Sequence, residues 1–388
     1  MLEKAQNIKH RIVEWRRAIH RNPELCFEEV QTAQLVAHAL TEVGARVQTG
    51  VGKTGVVGTL GNQEKPVVAL RADMDALPIQ ELAQVEYASQ VPNKMHACGH
   101  DAHTAMLLGA ALLLSKEDLP GQVRLLFQPS EENWDAERLG GAQRMINDGA
   151  LIGVESIAAL HVDSNMETGK ISVEAGPFSA ACDTFKVDIL GKGGHGAHPN
   201  LTVDPFWLAT QVLNGIYSIP SRRFDPFEPV ILSVGILQGG LADNVIPDAV
   251  HIEGTIRSMS EKTRREIHKE LEHCLAMTRA WGGDYRLTLE LGSPSVMNDR
   301  GVVETIRASV RDLLGQAALL PYEKSMGGED FSYMTAECPG AMFNLGVRKP
   351  GQQVIPLHSP RFILDEDALP VGSAILADTA LRMLKELG

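Results

Sequence analysis

Val67-Val68-Ala69-Leu70-Arg71-Ala72-Asp73-Met74-Asp75 sets four consecutive apolar residues, β-branched at the start, directly before one basic and two acidic side chains. A short run that is apolar on both faces reads as a buried strand of a largely parallel sheet covered by helices on each side. Two more runs repeat the pattern: Val123-Arg124-Leu125-Leu126-Phe127 precedes Gln128-Pro129-Ser130-Glu131-Glu132, and Ile157-Ala158-Ala159-Leu160 precedes His161. Helical spacing occupies residues 4–20, ended by Asn22-Pro23, then 28–43, the Ala-, Leu- and Met-rich stretch 104–114, and 141–148. Strands alternating with helices predict an α/β layered domain. In open α/β sheets ligands bind outside the carboxyl ends of the strands, so the three polar clusters point to one shared site.

From about residue 181 the texture changes. Phe185-Lys186-Val187-Asp188-Ile189-Leu190 alternates apolar with polar, as do residues 250–257 and 285–290, which suits strands with one exposed face. Helices at 205–219 and 261–281 lie between and beside them. A helix near 302–314 and the run Ala341-Met342-Phe343-Asn344-Leu345 then restore the first texture. The expected organisation is one split α/β domain, residues 1–180 and 293–388, carrying an inserted α+β domain, residues 181–292.

The composition bounds the function. The chain has 388 residues, 44% hydrophobic and 22% charged, with 36 Lys+Arg against 49 Asp+Glu and a net charge of −13. A protein whose main partner is a phosphate backbone needs a basic face to release counterions, so nucleic acid is excluded as the target. The five cysteines, Cys26, Cys98, Cys182, Cys274 and Cys338, are scattered and form no C-x-x-C knuckle. A disulfide framework does not fit, and a reducing, cytoplasmic compartment is expected. The N-terminus shows no basic cap followed by an apolar run, and no stretch approaches the roughly 20 apolar residues that span a bilayer. Neither secretion nor membrane insertion is expected.

The densest chemistry is Met95-His96-Ala97-Cys98-Gly99-His100-Asp101-Ala102-His103, opening the 104–114 helix. By itself it fits a metal site, a cysteine nucleophile with its base, or a helix start with Asp101 as the N-cap. The pair Glu131-Glu132 and the single His161 and His358 favour the metal, because ionised carboxylates are rarely buried without a partner.

His96-Ala97-Cys98-Gly99-His100-Asp101, Gln128-Pro129-Ser130-Glu131-Glu132, Gly191-Lys192-Gly193-Gly194-His195, Asn244-Val245-Ile246-Pro247, Gly254-Thr255-Ile256-Arg257 and Gly327-Gly328-Glu329-Asp330-Phe331 occur in this order. Together they resemble the hippurate hydrolase and auxin-conjugate amidohydrolase branch of the dinuclear aminoacylase and carboxypeptidase superfamily. The resemblance implies a three-layer, zinc-exopeptidase-like catalytic domain with an inserted ferredoxin-like domain that serves as dimerisation or lid domain. It makes Cys98, His100, Glu132, His161 and His358 the ligands of two divalent metal ions per subunit, with Cys98 in the bridging or near-bridging place, and Glu131 the general base for a metal-activated water. Adjacent side chains of an extended segment point in opposite directions, which would let Glu132 bind metal while Glu131 faces the water. Relatives outside the branch carry a histidine ligand where Arg71 stands and an aspartate where Cys98 stands. Thiolate and imidazole suit zinc and also admit cobalt or nickel, and manganese is open through carboxylate and histidine. Asp73 would orient the site from behind the ligands or pair with Arg71.

The same resemblance gives His195 the tetrahedral oxyanion of a partner subunit's site, Asn244 and Arg257 the substrate carboxylate, and Gly327 and Gly328 backbone contact with substrate. His198 is expected to be structural, His96 and His103 to support the ligands or the helix start, and the other histidines to lie at the surface. Cys26, Cys182, Cys274 and Cys338 are expected as small buried hydrophobes. The implied activity is hydrolysis of N-acyl amino acids by a homodimer, with carboxypeptidase, dipeptidase or N-acetyl-diaminopimelate deacetylase as alternatives. Two rivals of other classes are a cysteine hydrolase using Cys98 with His100 or His161, and a non-catalytic binding protein.

Overall fold

The computed structural model describes residues 1–61 and 64–388. The chain divides into two compact units, one of Met1–Gly176, Met297–Glu323 and Tyr333–Gly388, the other of Pro177–Val296 and Lys324–Ser332.

The first unit is built on an eight-stranded sheet in the order Arg46–Val51, Gly55–Leu60, Gln122–Gln128, Val67–Asp73, Ser156–Glu167, Gly340–Arg348, Ile171–Ser172 and Leu319–Leu320. Val67–Asp73 is buried at every position and pairs in parallel with both neighbours, as its unbroken apolar run predicts. The sheet as a whole is mixed. Arg46–Val51 and Gly55–Leu60 form an antiparallel hairpin that also pairs antiparallel with Gln122–Gln128, and Ile171–Ser172 runs antiparallel to Gly340–Arg348. The hairpin turn between Val51 and Gly55 is too short for a crossover, so antiparallel pairing follows. Sequence reasoning passed over these two strands because four glycines at positions 50, 52, 55 and 58 break their apolar pattern.

The helix His100–Leu114 is buried along its whole length. An α-helix apolar on all sides belongs inside the protein, and this one packs between the Val67–Asp73 strand and the helices Lys9–Arg21 and Ala368–Leu387. The N-terminal helix expected at 4–20 is two helices, Leu2–Asn7 and Lys9–Arg21, separated at Ile8, whose φ of −105° and ψ of 6° leave the helical region.

The second unit holds a four-stranded antiparallel sheet in the order Val230–Gly239, Ala249–Ser258, Ala181–Leu190 and Asp284–Leu291. With the helices Pro205–Arg223 and Glu261–Ala280 the chain runs strand, helix, strand, strand, helix, strand, which is the ferredoxin-like order. Phe185, Val187 and Ile189 on one strand and Ile252 and Ile256 on the next meet Leu208, Val212, Ile267 and Leu271 from the helices in a separate core. Asp204 and Ser260 cap the two helices by accepting the N–H groups of Phe206 and Thr263. The Val230–Gly239 strand escaped sequence reasoning because its register shifts between Val234 and Ile236, which destroys the period of two. Among the described residues no helix is long and apolar enough to cross a membrane.

Candidate metal centre

Two strand ends, the middle of a third strand, one helix start and the loop that carries His358 supply the cluster in the first unit. Val67–Asp73 delivers Asp73 and then Asp75, Gln122–Gln128 leads into Glu131 and Glu132, and Ser156–Glu167 carries His161. Cys98 and His100 flank Gly99, the N-cap of the buried helix. Gly99 has φ +85°, and a Cβ there would lie 2.5 Å from Val162 Cγ2, so only glycine allows the turn that aims both neighbours.

The donor atoms converge. His358 Nε2 lies 3.3 Å from Cys98 Sγ and 3.4 Å from Glu132 Oε1, and Cys98 Sγ lies 3.5 Å from His161 Nε2. Ligand atoms of Cys98, His100 and His161 fall within 4.8 Å of one another, as do those of Cys98, Glu132 and His358, and those of His100, Glu131 and Glu132. The first two trios share Cys98. His100 Nδ1 donates to the backbone oxygen of Asp75 (2.9 Å) and to its Oδ1 (3.1 Å), and His161 Nδ1 donates to the Val162 carbonyl (2.7 Å). Each ring therefore turns its Nε2 lone pair inward, the arrangement that oriented metal-binding histidines adopt. His100 Nε2 and Glu132 Oε1 are buried with no hydrogen-bond partner among the described residues. Buried polar atoms are rarely left so, and the thiol, imidazole and carboxylate donors fit divalent cations such as zinc.

Charge behind the cluster is arranged for the same end. Asp73 Oδ1 accepts from His103 Nδ1 (2.6 Å) and Oδ2 from Arg71 (2.8 Å), while His103 Nε2 accepts the Val162 N–H (3.0 Å), which fixes the ring as the neutral Nδ1–H tautomer. Burial pushes the His103 pKa down to about 4 against the pull of Asp73. Burial also opposes the charge on Asp73, but His100, His103 and Arg71 outweigh it and hold the carboxyl well below its usual range. Asp75, which the sequence placed in the polar cluster after the strand without giving it a role, accepts the Glu132 N–H through Oδ2 (3.0 Å) as well as serving His100. Only folding sets it behind two ligand segments.

Several expectations need correction. Glu131 and Glu132 do not lie on an extended strand: the strand ends at Gln128, and Ser130 bends the chain with φ +45°. Asp101 is not a helix cap. It is fully buried and accepts hydrogen bonds from Arg16 Nε and His20 Nδ1, each at 2.7 Å. His20 is accordingly no surface residue; it is 1% exposed and reaches Glu81 through Nε2 (3.2 Å). His96 is buried with neither ring nitrogen hydrogen-bonded among the described residues. Cys274 and Cys338 are buried, whereas Cys26 and Cys182 are partly exposed, and the Cys26 thiol donates to Asp75 Oδ2 (3.2 Å).

In the second unit the exposed His195 pairs with Val245 in a two-stranded ladder, beside Asn244, whose carbonyl accepts the Gly196 N–H (2.8 Å). His195 Nδ1 accepts the Ala197 N–H (3.1 Å), leaving Nε2 as the outward donor. His198 stacks near it at 5.6 Å. Arg257 stands opposite Cys182 across the sheet, and among the described residues its guanidinium hydrogen-bonds only the Ile256 carbonyl (3.4 Å) and meets no carboxylate. A Cβ on Gly328 would meet Cys182 Sγ at 2.5 Å, which brings Gly328 to the same strand position. The Gly327 N–H is already taken by Ser325 Oγ (3.1 Å).

The sequence of the Peptidase family M20/M25/M40 matches residues 69–382. Thermostable carboxypeptidase 2 of Saccharolobus solfataricus is 39% identical, over 98% of this chain and 98% of its own length. IAA-amino acid hydrolase ILR1-like 2 of Arabidopsis thaliana is 40% identical, over 97% of this chain and 85% of its own. Among solved structures the Bacillus subtilis YXEP protein, described as a dinuclear metal binding peptidase from the M20 family, is 33% identical and superposes with a TM-score of 0.86, covering 98% of this chain and 99% of that one.

Proposed function

Because the chain belongs to the Peptidase family M20/M25/M40, we propose that it is a metal-dependent amidohydrolase that cleaves the amide bond of N-acyl amino acids. The observation that carries this reading is the convergence of Cys98, His100, Glu132, His161 and His358, with His100 Nε2 and Glu132 Oε1 buried in the cluster without a hydrogen bond among the described residues. These five residues would hold two divalent ions, with zinc favoured by the thiolate and imidazole donors. Bound there, the ions would supply Lewis acidity for the amide carbonyl and lower the pKa of a water.

The chain's own residues do the rest. Glu131, beside the ligand Glu132, takes a proton from the attacking water and hands it to the leaving amine. Arg257, which has no carboxylate partner among the described residues, binds the carboxylate of the substrate with Asn244 beside His195. Gly327 and Gly328 line the substrate, and His195, through its outward Nε2, stabilises the oxyanion in a partner subunit's site. Residues 181–292 then serve dimerisation and 1–180 with 293–388 serve catalysis. A thiolate ligand requires a reducing setting, so the proposed compartment is the cytoplasm.

Hydrolysis of a panel of N-acyl amino acids and dipeptides by zinc-, cobalt- and manganese-loaded protein tests the substrate class; faster turnover of dipeptides than of every acyl amino acid would make the protein a peptidase instead. Chelation should abolish activity and added divalent metal restore it. Activity that survives chelation but is lost on thiol alkylation would favour a Cys98 nucleophile. Sedimentation showing a fully active monomer would overturn the role given to His195.

A further inference from the structure

Ser130 directly precedes Glu131 and has φ +45°, a left-handed conformation that a residue with a side chain adopts only at a cost. Each of its polar groups is tied down. Its carbonyl accepts the Gly141 N–H (2.9 Å), its hydroxyl donates to the Asn133 carbonyl (2.9 Å), and its N–H donates to Glu29 Oε1 (2.8 Å). Gly141 comes so close that a Cβ on it would lie 1.6 Å from the Pro129 oxygen. Two of the three ties are local, while Glu29 is 101 residues distant in sequence.

Glu29 is fully buried, and its carboxylate also accepts the Phe27 N–H (3.0 Å) and the Thr54 hydroxyl. None of these three donors is a cation. A carboxylate withdrawn from water without a countercharge is a poor source of stability, since even well-paired buried charges can be replaced by apolar groups without loss. Its placement is better explained by what it holds: one oxygen joins the N-terminal loop to the strained residue before the base.

We propose that Glu29 is a positioning residue for the hydrolysis, fixing the Ser130 peptide and thereby the aim of Glu131. This rests on the reading of Glu131 as the general base. Glu131 has to reach the attacking water while Glu132 turns to the cations, and a rotation of the Ser130 peptide would swing both; a displacement near 1 Å at a reacting group costs about 10²-fold in rate.

The test compares Glu29→Gln, Glu29→Asp and Glu29→Ala in metal-loaded protein, with metal content and the visible spectrum of the cobalt-substituted enzyme measured beside kcat and KM. The amide oxygen of Glu29→Gln still accepts from Ser130, so its kcat should stay within about threefold of the parent. Glu29→Asp, too short to reach, and Glu29→Ala should lose about 10- to 100-fold in kcat, with KM changed by less than about threefold. Metal content and cobalt spectrum should be unchanged in all three. If Glu29→Ala does not fold, Glu29→Asp decides. An unaltered kcat per metal-loaded chain in Glu29→Asp, a Glu29→Gln as impaired as Glu29→Asp, or a loss of kcat that follows loss of metal each overturns the proposal. Glu131→Gln assayed alongside separates the two readings: if it turns over normally the base assignment fails, and if it is inactive while Glu29→Asp is fully active only the positioning role fails.

Discussion

Asp183 in the second unit and Glu132 in the first are both acids largely withdrawn from water, and they are treated in opposite ways. Asp183 spends every lone pair inside its own unit: Oδ2 accepts Arg264 Nε and His268 Nε2, each at 2.8 Å, and Oδ1 accepts a second Arg264 nitrogen and the Gly292 N–H (3.0 Å). Glu132 keeps a buried oxygen without a hydrogen bond among the described residues, faced only by His358 Nε2 at 3.4 Å, next to a histidine nitrogen that likewise has no hydrogen bond. A closed network ties a strand to a helix and asks for nothing more; an open one is stable only when something else supplies the charge. Burial and acidity are common to both, so neither alone identifies a binding site. What separates them is whether the protein completes its own hydrogen bonds.

The contrast can be broken from either side. The largest effect is expected at the open cluster: His100→Ala should lower metal content and reduce turnover by about 10³-fold or more. Metal analysis and steady-state hydrolysis check this. At the closed cluster Asp183→Asn should destabilise the fold by about 3 kcal/mol, seen in denaturant unfolding, with metal content unchanged, because it leaves the buried Arg264 with only the half-exposed Glu261 as countercharge. Asp75→Asn lies between the two cases and should weaken metal affinity about 10- to 100-fold, measured by competition with a chelator, since it orients His100 from behind.

A pH series sharpens the comparison further. Burial works against the Asp183 charge, but the hydrogen bonds from Arg264 and His268 outweigh it and lower the pKa from 3.8 to about 2. A carboxyl depressed on folding contributes stability that is fully present above its unfolded pKa, so this contribution is lost as the pH falls from 3.8 towards 2 and is absent below. The parent should lose stability relative to Asp183→Asn across that window, and parallel curves would refute the assignment. The smallest effect is expected where charge is exposed: breaking Arg223–Glu270, a pair with its arginine more than half exposed, should cost under about 1 kcal/mol and less in high salt.

The parallel centre of the sheet was legible because a strand covered on both faces has to be apolar throughout, as Val67-Val68-Ala69-Leu70 is. The buried helix from His100 was legible for the same reason. The glycine-broken hairpin at residues 46–60 and the bulged edge strand were not, since their pairing depends on neighbours that no local period records. The residues of the candidate site stood out as motifs, and the structure gathers Cys98, His100, Glu132, His161 and His358 from segments up to 260 residues apart. Glu29 and His20 did not stand out, and Asp75 did so only as a member of the polar cluster after its strand. An acid at a helix start, an acid in a loop and a histidine on an amphipathic helix each have an ordinary solvated reading, and only packing removes the water.

By itself, then, the sequence determined which side chains are candidates for the chemistry, the class of the fold and the alternation of its regular elements, because composition and hydrophobic period are local properties of the chain. The tertiary structure alone decided which polar atoms are left without partners. Whether the oxygen of Glu132 or of Asp183 is satisfied depends on distances between segments far apart in sequence, and a hydrogen bond exists only within a few tenths of an ångström of its ideal length.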